Sequence, residues 1–184
     1  MDSLQKRTIL NYELVGMVFI ILLGSISHFT FELSGFNPVV GAFSAINESV
    51  WEHLKLGFWP LIIYTFIEYW KIKDKTNNFF LAKAIAACTI ILIIPVIFYS
   101  YTSIIGEAIL ALDISSFIVA VFVGQFLSYK LLIFKPQSKT VELISLVALA
   151  VLAILFIVFT FYPPHISLFQ DGVTGEYGIL THSY

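Results

Sequence analysis

The sequence predicts an all-α integral membrane protein, built as one bundle of about five transmembrane helices. Hydrophobic residues make up 59 % of its 184 residues and charged residues only 12 %, whereas soluble domains carry about 25 % charged residues. The mean hydropathy is +0.92. A water-soluble core could not bury so much apolar surface in a chain of this length, so lipid is the predicted solvent for most of it.

Five apolar stretches are long enough to cross the hydrocarbon core of a bilayer, which takes about 20 helical residues. They predict spans over residues 12–32, 47–71, 79–101, 108–134 and 141–162. The length suits one domain, residues 1–184, that contains all of them. The last segment, residues 163–184, is polar and punctuated by glycine and proline, which predicts an exposed tail.

The first span presents one face of small residues and a histidine. Gly16, Gly24 and His28 fall in line because residues four apart on a helix share a face. Small residues let a neighbouring membrane helix approach closely. His28 is therefore predicted to face protein rather than lipid, with Glu32 one turn further on the same face.

A turn cluster at residues 34–38 and a short apolar segment at residues 39–46 separate the first two spans. The short segment fits either a loop that dips into the membrane interface or a half-helix. The second span has interfacial aromatic residues at both ends. Pro60 removes a helical hydrogen bond from this span and predicts a kink, and Pro95 lies inside the third span.

The basic residues give the predicted orientation. All of them except Lys55 fall on the side of the amino terminus: Lys6, Arg7, Lys71, Lys73, Lys75, Lys83, Lys130, Lys135 and Lys139. Because basic residues concentrate in cytoplasmic segments, the amino terminus is predicted to be cytoplasmic and the carboxyl terminus extracytoplasmic, in the cell membrane.

Histidines and acids gather on the predicted outer side, where the densest polar stretch is Asn47-Glu48-Ser49-Val50-Trp51-Glu52-His53-Leu54-Lys55. Mixed histidine and carboxylate side chains are the ligands of Zn²⁺, and a catalytic site leaves one position for water. The predicted metal ligands are His28, His53 and His165, and the predicted cofactor is a divalent metal such as zinc. Glu48 and Glu52 are the predicted catalytic carboxylates, as fourth ligand or as general base.

Structural roles compete with these assignments. Ser49 and Glu52 have the spacing of a helix capping box, and Glu52 could instead pair with Lys55. His28 could simply form a hydrogen bond between helices. Residues 171–176 fit a plain turn better than a calcium loop, whose ligand spacing they lack. Glu68 lies near the cytoplasmic end of its span, where it is predicted to reach the surface.

Several functions are excluded or disfavoured by the sequence. A net charge of −2 excludes a broadly basic nucleic-acid binder. The chain contains no P-loop, no dinucleotide fingerprint and no G-x-S-x-G elbow, so no nucleotide site is predicted. Ionisable residues do not form a series through the predicted membrane centre, which disfavours a proton pathway. The lipid bilayer is the one predicted partner.

Four motifs together resemble an uncharacterised family of small bacterial multi-pass membrane proteins. They are His28-Phe29-x-Phe31-Glu32-x-Ser34-Gly35, the Asn47–Lys55 stretch quoted above, Pro163-Pro164-His165 and Thr174-Gly175-x-Tyr177-Gly178. The resemblance covers nearly the whole chain. It implies a membrane location and transfers no activity and no catalytic residue.

Three classes of function remain open at this point. The first is a metal-dependent hydrolase or transferase that acts on a lipid or envelope substrate. The second is a non-enzymatic binding or transport component for a small solute or ion. The third is a structural or regulatory membrane partner. The first class requires His28, His53 and His165 to converge within a few ångströms, and dispersed histidines would contradict it. The second class requires a cavity that reaches the membrane midplane.

Overall fold

Five long helices and one single-turn helix make up the regular structure of residues 1–179, the part of the chain that the computed structural model describes. In chain order they are α1 (Ser3–Leu33), α2 (Pro38–Gly41), α3 (Val50–Ile72), α4 (Phe79–Ile105), α5 (Leu110–Leu132) and α6 (Lys139–Phe161). Short 3₁₀ turns follow α3 at Lys73–Lys75 and α6 at Ser167–Phe169. The predicted all-α class is confirmed.

The long helices occupy the predicted spans with shifted ends. The largest shift is at α1, which begins at Ser3 rather than at residue 12. Asp2 caps this helix, since its Oδ1 accepts a hydrogen bond from Gln5 N at 2.7 Å and Gln5 Oε1 accepts one from Asp2 N at 3.1 Å. α3 and α4 each continue through their internal proline.

Within residues 1–179, four helices are long and apolar enough to cross a membrane: α1, α4, α5 and α6. α3 has the length, but Glu52, Lys55 and Glu68 interrupt its apolar sequence. These three side chains are buried in the structure. α3 is therefore the polar helix of the bundle, and its charges face protein.

α3 packs against α1 and α4, while α4 also packs against α5 and α6. The main core lies between these helices, around the fully buried side chains of Phe58, Ile90 and Phe156. Successive long helices run in opposite directions, so their ends gather at two opposite faces of the bundle. At one of these faces the start of α4 lies beside the end of α5, where Asn77 N donates to the Leu132 carbonyl at 2.8 Å.

Small residues set the distance between α1 and α3. Gly24 is buried, and a Cβ atom at this position would collide with the carbonyl oxygen of Leu56 and the ring of Phe117. The backbones of the two helices therefore approach closely here, as small residues permit. His28 lies one turn beyond Gly24 and is directed toward the start of α3.

The segment at residues 39–46 begins in α2, a helix of a single turn, which is a short version of the predicted half-helix. Asn37 caps α2 by accepting a hydrogen bond from Val39 N at 2.9 Å. The residues that follow form a buried loop that includes Ala45 and Ile46. This loop leads directly into the polar stretch before α3.

The segment after α6 differs from the predicted exposed tail. Residues 163–179 fold back onto the bundle, and Phe169 is buried against the ring of Trp51, with a centroid separation of 4.7 Å. Asn47 Nδ2 donates to the Gly178 carbonyl at 2.9 Å. Burial of Phe169 and the hydrogen bond from Asn47 hold this segment on the bundle. A scan for long apolar stretches cannot reveal such contacts.

Candidate functional site

Two histidines and a glutamate converge where α1 ends and α3 begins. His28 Nε2 lies 3.2 Å from His53 Nε2. Glu48 reaches both rings, with Oε1 3.7 Å from His28 Nε2 and Oε2 3.4 Å from His53 Nε2. The imidazoles are 31 % exposed and the Glu48 side chain 50 % exposed. The cluster is thus accessible from solvent at one end of the bundle.

The backbone of α3 fixes the orientation of His53. Its Nδ1 lies 2.8 Å from the carbonyl oxygen of Ser49, one turn earlier in the chain. A carbonyl only accepts hydrogen bonds, so Nδ1 carries a proton. Nε2 faces Glu48 and donates to it when the ring is doubly protonated, and it offers a lone pair to a metal when the ring is neutral. Histidine ligands of metals are generally oriented in this way.

Glu48 is held by the folded-back segment after α6. Its backbone N donates to Asp171 Oδ2 at 2.8 Å. The hydrogen bond with His53 lowers the pKa of the Glu48 carboxyl below its ordinary value, although partial burial acts in the opposite direction. Glu48 is therefore an ionised oxygen ligand at neutral pH.

Asp171 is the residue that sequence reasoning missed. Its Oδ1 accepts hydrogen bonds from Val173 N at 2.8 Å and Thr174 N at 2.6 Å, as in the plain turn that the sequence predicts. Burial raises the pKa of Asp171, but hydrogen bonds from the backbone N–H groups of Thr174, Glu48 and Val173 outweigh it and leave the pKa lowered. Asp171 and Glu48 are 123 positions apart in the chain, so no local sequence pattern predicts their contact.

The distances in the cluster fit a tetrahedral metal ion. With Zn–N bonds of about 2.0–2.1 Å, tetrahedral ligands lie about 3.3 Å from one another. The three ligand atoms, one each from His28, Glu48 and His53, all lie within 4.8 Å of one another. Two histidines and one glutamate form a ligand set of catalytic zinc sites, which keep a fourth position for water.

Glu52 lies outside this cluster and is committed to other contacts. Its Oε2 accepts a hydrogen bond from Ile46 N at 3.0 Å and lies 2.5 Å from Lys55 Nζ. Both side chains are buried, at 3 % and 0 % exposure. Of the two structural roles predicted for Glu52, the salt bridge to Lys55 is formed. The capping box is only half formed: Ser49 Oγ accepts a hydrogen bond from Glu52 N at 3.3 Å, and the Glu52 carboxylate takes no part in the cap.

His165, the third predicted metal ligand, is not brought to this cluster. His165 is exposed and stacks on Tyr177, with ring centroids 4.5 Å apart. It does not belong to the group of ligand atoms formed by His28, Glu48 and His53. His182 lies outside the described residues.

Two further features border the site. A shallow groove beside Glu48 is lined by Val50, Phe98, Tyr99 and Gln170. Asp113, at the start of α5, is close enough to His53 for an electrostatic interaction and accepts a hydrogen bond from the Tyr101 hydroxyl at 2.6 Å. The cluster thus has an open side with an apolar wall and one additional carboxylate nearby.

Comparison with known proteins places the chain in a family. A family model described as a family of unknown function (DUF6512) matches residues 1–179. No curated protein and no solved structure matches the chain. The apolar helices agree with the membrane nature expected from the sequence motifs. The chain belongs to the family of unknown function DUF6512.

Proposed function

We propose that this protein is a multi-pass protein of a bacterial cell membrane that binds a divalent transition metal, such as zinc, through His28, Glu48 and His53. The observation that carries the proposal is the convergence of one ligand atom from each of His28, Glu48 and His53, all within 4.8 Å of one another. The open side and the orienting bond from His53 Nδ1 to Ser49 support it.

The predicted topology supplies the location of this site. α3 crosses the membrane as a fifth span, its charges shielded by the neighbouring helices. The exposed basic residues at the opposite end of the bundle face the cytoplasm under the positive-inside rule. The site therefore faces the extracytoplasmic side, and its substrate comes from the outer leaflet or the cell envelope.

The chemistry that fits is hydrolysis or group transfer on a lipid or envelope substrate. A bound metal of this kind polarises a carbonyl or phosphoryl oxygen and lowers the pKa of a bound water. Glu48 serves as a ligand, and Glu52 is not proposed as the general base because Lys55 and Ile46 occupy its carboxylate. Asp113 is the proposed general base, since it interacts electrostatically with His53, although it also accepts a hydrogen bond from the Tyr101 hydroxyl. The groove with Phe98 and Tyr99 offers apolar contacts to an acyl chain.

Metal binding by purified protein in detergent tests this proposal. We expect about one zinc ion per chain after chelation and reloading, measured by elemental mass spectrometry, and loss of at least about 100-fold in affinity in His28→Ala and His53→Ala. Loss of a ligand should exceed the roughly 10–100-fold effect of removing a residue that only holds a ligand in place.

His165→Ala is the matched control, because His165 lies outside the cluster and is exposed. It should bind zinc as the wild type does. Equal zinc binding in all of these variants, or none in the folded wild type, would contradict the proposal. Loss of zinc in His165→Ala would instead restore that residue to the ligand set.

A further prediction concerns Asp171. Asp171→Ala removes the acceptor that holds the Glu48 backbone and the turn at Val173 and Thr174. We expect zinc affinity to fall by about 10–100-fold, since Asp171 orients a ligand without being one. Isothermal titration calorimetry measures this, with exposed Glu176→Gln as the control; an unchanged affinity in Asp171→Ala would contradict the role.

An ion transport component is the second candidate, and one observation favours it. Charged side chains are buried between the helices in the opposite half of the bundle, where Lys83 lies between two glutamates. Ionisable groups inside membrane bundles commonly line ion or proton paths. Zinc flux into proteoliposomes separates the two: a transporter accumulates zinc inside, and a hydrolase binds it without net uptake.

A further inference from the structure

A second charged cluster lies in the other half of the bundle. Glu13 of α1, Glu68 of α3 and Lys83 of α4 meet there at 2 %, 1 % and 0 % exposure. Lys83 Nζ lies 2.6 Å from Glu13 Oε1 and 2.5 Å from Glu68 Oε2. The prediction that Glu68 reaches the surface is wrong, and Lys83 is not an exposed cytoplasmic charge. Both side chains point into the bundle because they form an ion pair with each other across the interface of α3 and α4.

α5 completes this cluster with uncharged groups. Lys83 Nζ donates to Ser128 Oγ at 3.2 Å, and Ser128 Oγ donates to Glu13 Oε1 at 3.0 Å. Gln125 Nε2 donates to the Glu13 carbonyl at 3.5 Å. The Tyr64 hydroxyl of α3 is used elsewhere, donating to the Tyr12 carbonyl at 2.8 Å.

The charges of this cluster do not balance. Two carboxylates face one ammonium group, which leaves one negative charge in excess if all three are ionised. An uncompensated charge in a buried membrane site costs several kcal/mol. The pair of Glu52 and Lys55 near the other end of the bundle has no such excess, since it contains one charge of each sign.

Unpartnered oxygen atoms point to the missing component. Among the described residues, Glu13 Oε2 and Glu68 Oε1 have no hydrogen-bond donor although both are buried. The two carboxyl groups contact the same Lys83 Nζ, at 2.6 Å and 2.5 Å, so they lie next to each other. Two ionised carboxylates repel at this separation, whereas a shared proton supplies both the donor and the missing positive charge.

We propose that Glu13 and Glu68 share one proton, so that Glu13, Glu68 and Lys83 form a neutral proton-binding site inside the bundle. Loss of this proton changes the charge between α1, α3, α4 and α5 by one unit. The site is separate from the histidine cluster, because Glu13 and His28 are 15 residues apart on α1, which corresponds to about 22 Å along the helix axis. It therefore stands whether or not zinc binds.

Infrared spectroscopy of the purified protein tests this inference, since a protonated carboxyl group has a C=O stretch that ionised carboxylates lack. At neutral pH we expect the band of one buried carboxylic acid per chain. Glu13→Gln and Glu68→Gln should each abolish the whole band, because the remaining carboxylate is then balanced by Lys83 and stays ionised. Glu32→Gln, at an exposed position on α1, should leave it unchanged.

Thermal unfolding as a function of pH gives a second readout. The folded state holds a proton that the unfolded state releases, so wild-type stability should fall as pH rises. Glu68→Gln should remove this dependence and be the more stable protein at high pH. A wild type without the band, a band that survives both glutamine variants, or stabilisation by sodium in place of the proton would overturn the inference.

Discussion

Lys55→Met is expected to destabilise the protein by about 3–5 kcal/mol, because removal of one partner leaves a buried charge uncompensated. Lys55 Nζ contacts Glu52 and also donates to the Gly41 carbonyl at 2.7 Å and Thr160 Oγ1 at 2.8 Å. It thereby joins the end of α2, the start of α3 and the end of α6. Denaturant titration in mixed micelles measures the change in the free energy of unfolding.

The double variant Lys55→Met, Glu52→Gln is the decisive comparison. It removes both charges, and the glutamine oxygen still accepts the hydrogen bond from Ile46 N. We expect it to recover most of the lost stability, whereas exposed Lys71→Met should change it by less than about 0.5 kcal/mol. If Lys55→Met is as stable as Lys71→Met, the buried ion pair does not hold together the end of the bundle where α3 begins.

The same double variant separates structure from chemistry at Glu52. The sequence offers Glu52 as a general base, and the structure places it in a buried ion pair with Lys55, outside the group of ligand atoms from His28, Glu48 and His53. A folded double variant should therefore still bind zinc with wild-type affinity. Loss of zinc in a stable double variant would return Glu52 to the site.

Local patterns predict the parts of the site that lie on regular helices. The spacing of Gly16, Gly24 and His28 predicts correctly which face of α1 is buried, since helical periodicity and residue size are both local. His53 and Glu48 follow from the unusual polarity of one short stretch. The long helices themselves follow from apolar length, although the buried charges of α3 are compensated only in the folded bundle.

Pairings between distant segments could not be predicted in this way. Glu13 and Lys83 are separated by 70 residues, and each on its own resembles a charge near a helix end. Asp171 resembles an ordinary turn residue until its contact with Glu48 is known. His165 is the same residue type as two of the ligands but lies away from them, because its ring stacks on Tyr177.

These pairings divide the bundle into two polar centres with different exposure. The histidine cluster is open to solvent and orders its ligands through the Ser49 carbonyl and Asp171. The glutamate and lysine cluster is closed and contains an excess carboxylate. A solvent-accessible centre suits exchange of a metal or substrate, and a closed centre suits storage of a proton.

Zinc affinity is expected to fall by up to about 100-fold for each pH unit once the pH lies below the pKa of both imidazoles. Imidazole binds metal only in its neutral form and ordinarily has a pKa of about 6.5. Each zinc ion must therefore displace two protons in acid, one from His28 and one from His53. Glu48 adds no third proton in this range, since its hydrogen bond with His53 lowers its pKa.

Competition titrations with a zinc chelator of known affinity, repeated at several pH values, measure this slope. His28→Asn should reduce it to about 10-fold per pH unit, since one imidazole remains, while His165→Ala should keep the wild-type slope. The sign follows from the ligands: protonation opposes binding, so zinc is held at neutral pH and released in acid. Affinity that does not depend on pH would show that carboxylates alone bind the ion, and a reduced slope in His165→Ala would show that the ligand set differs from the one assigned to His28, Glu48 and His53.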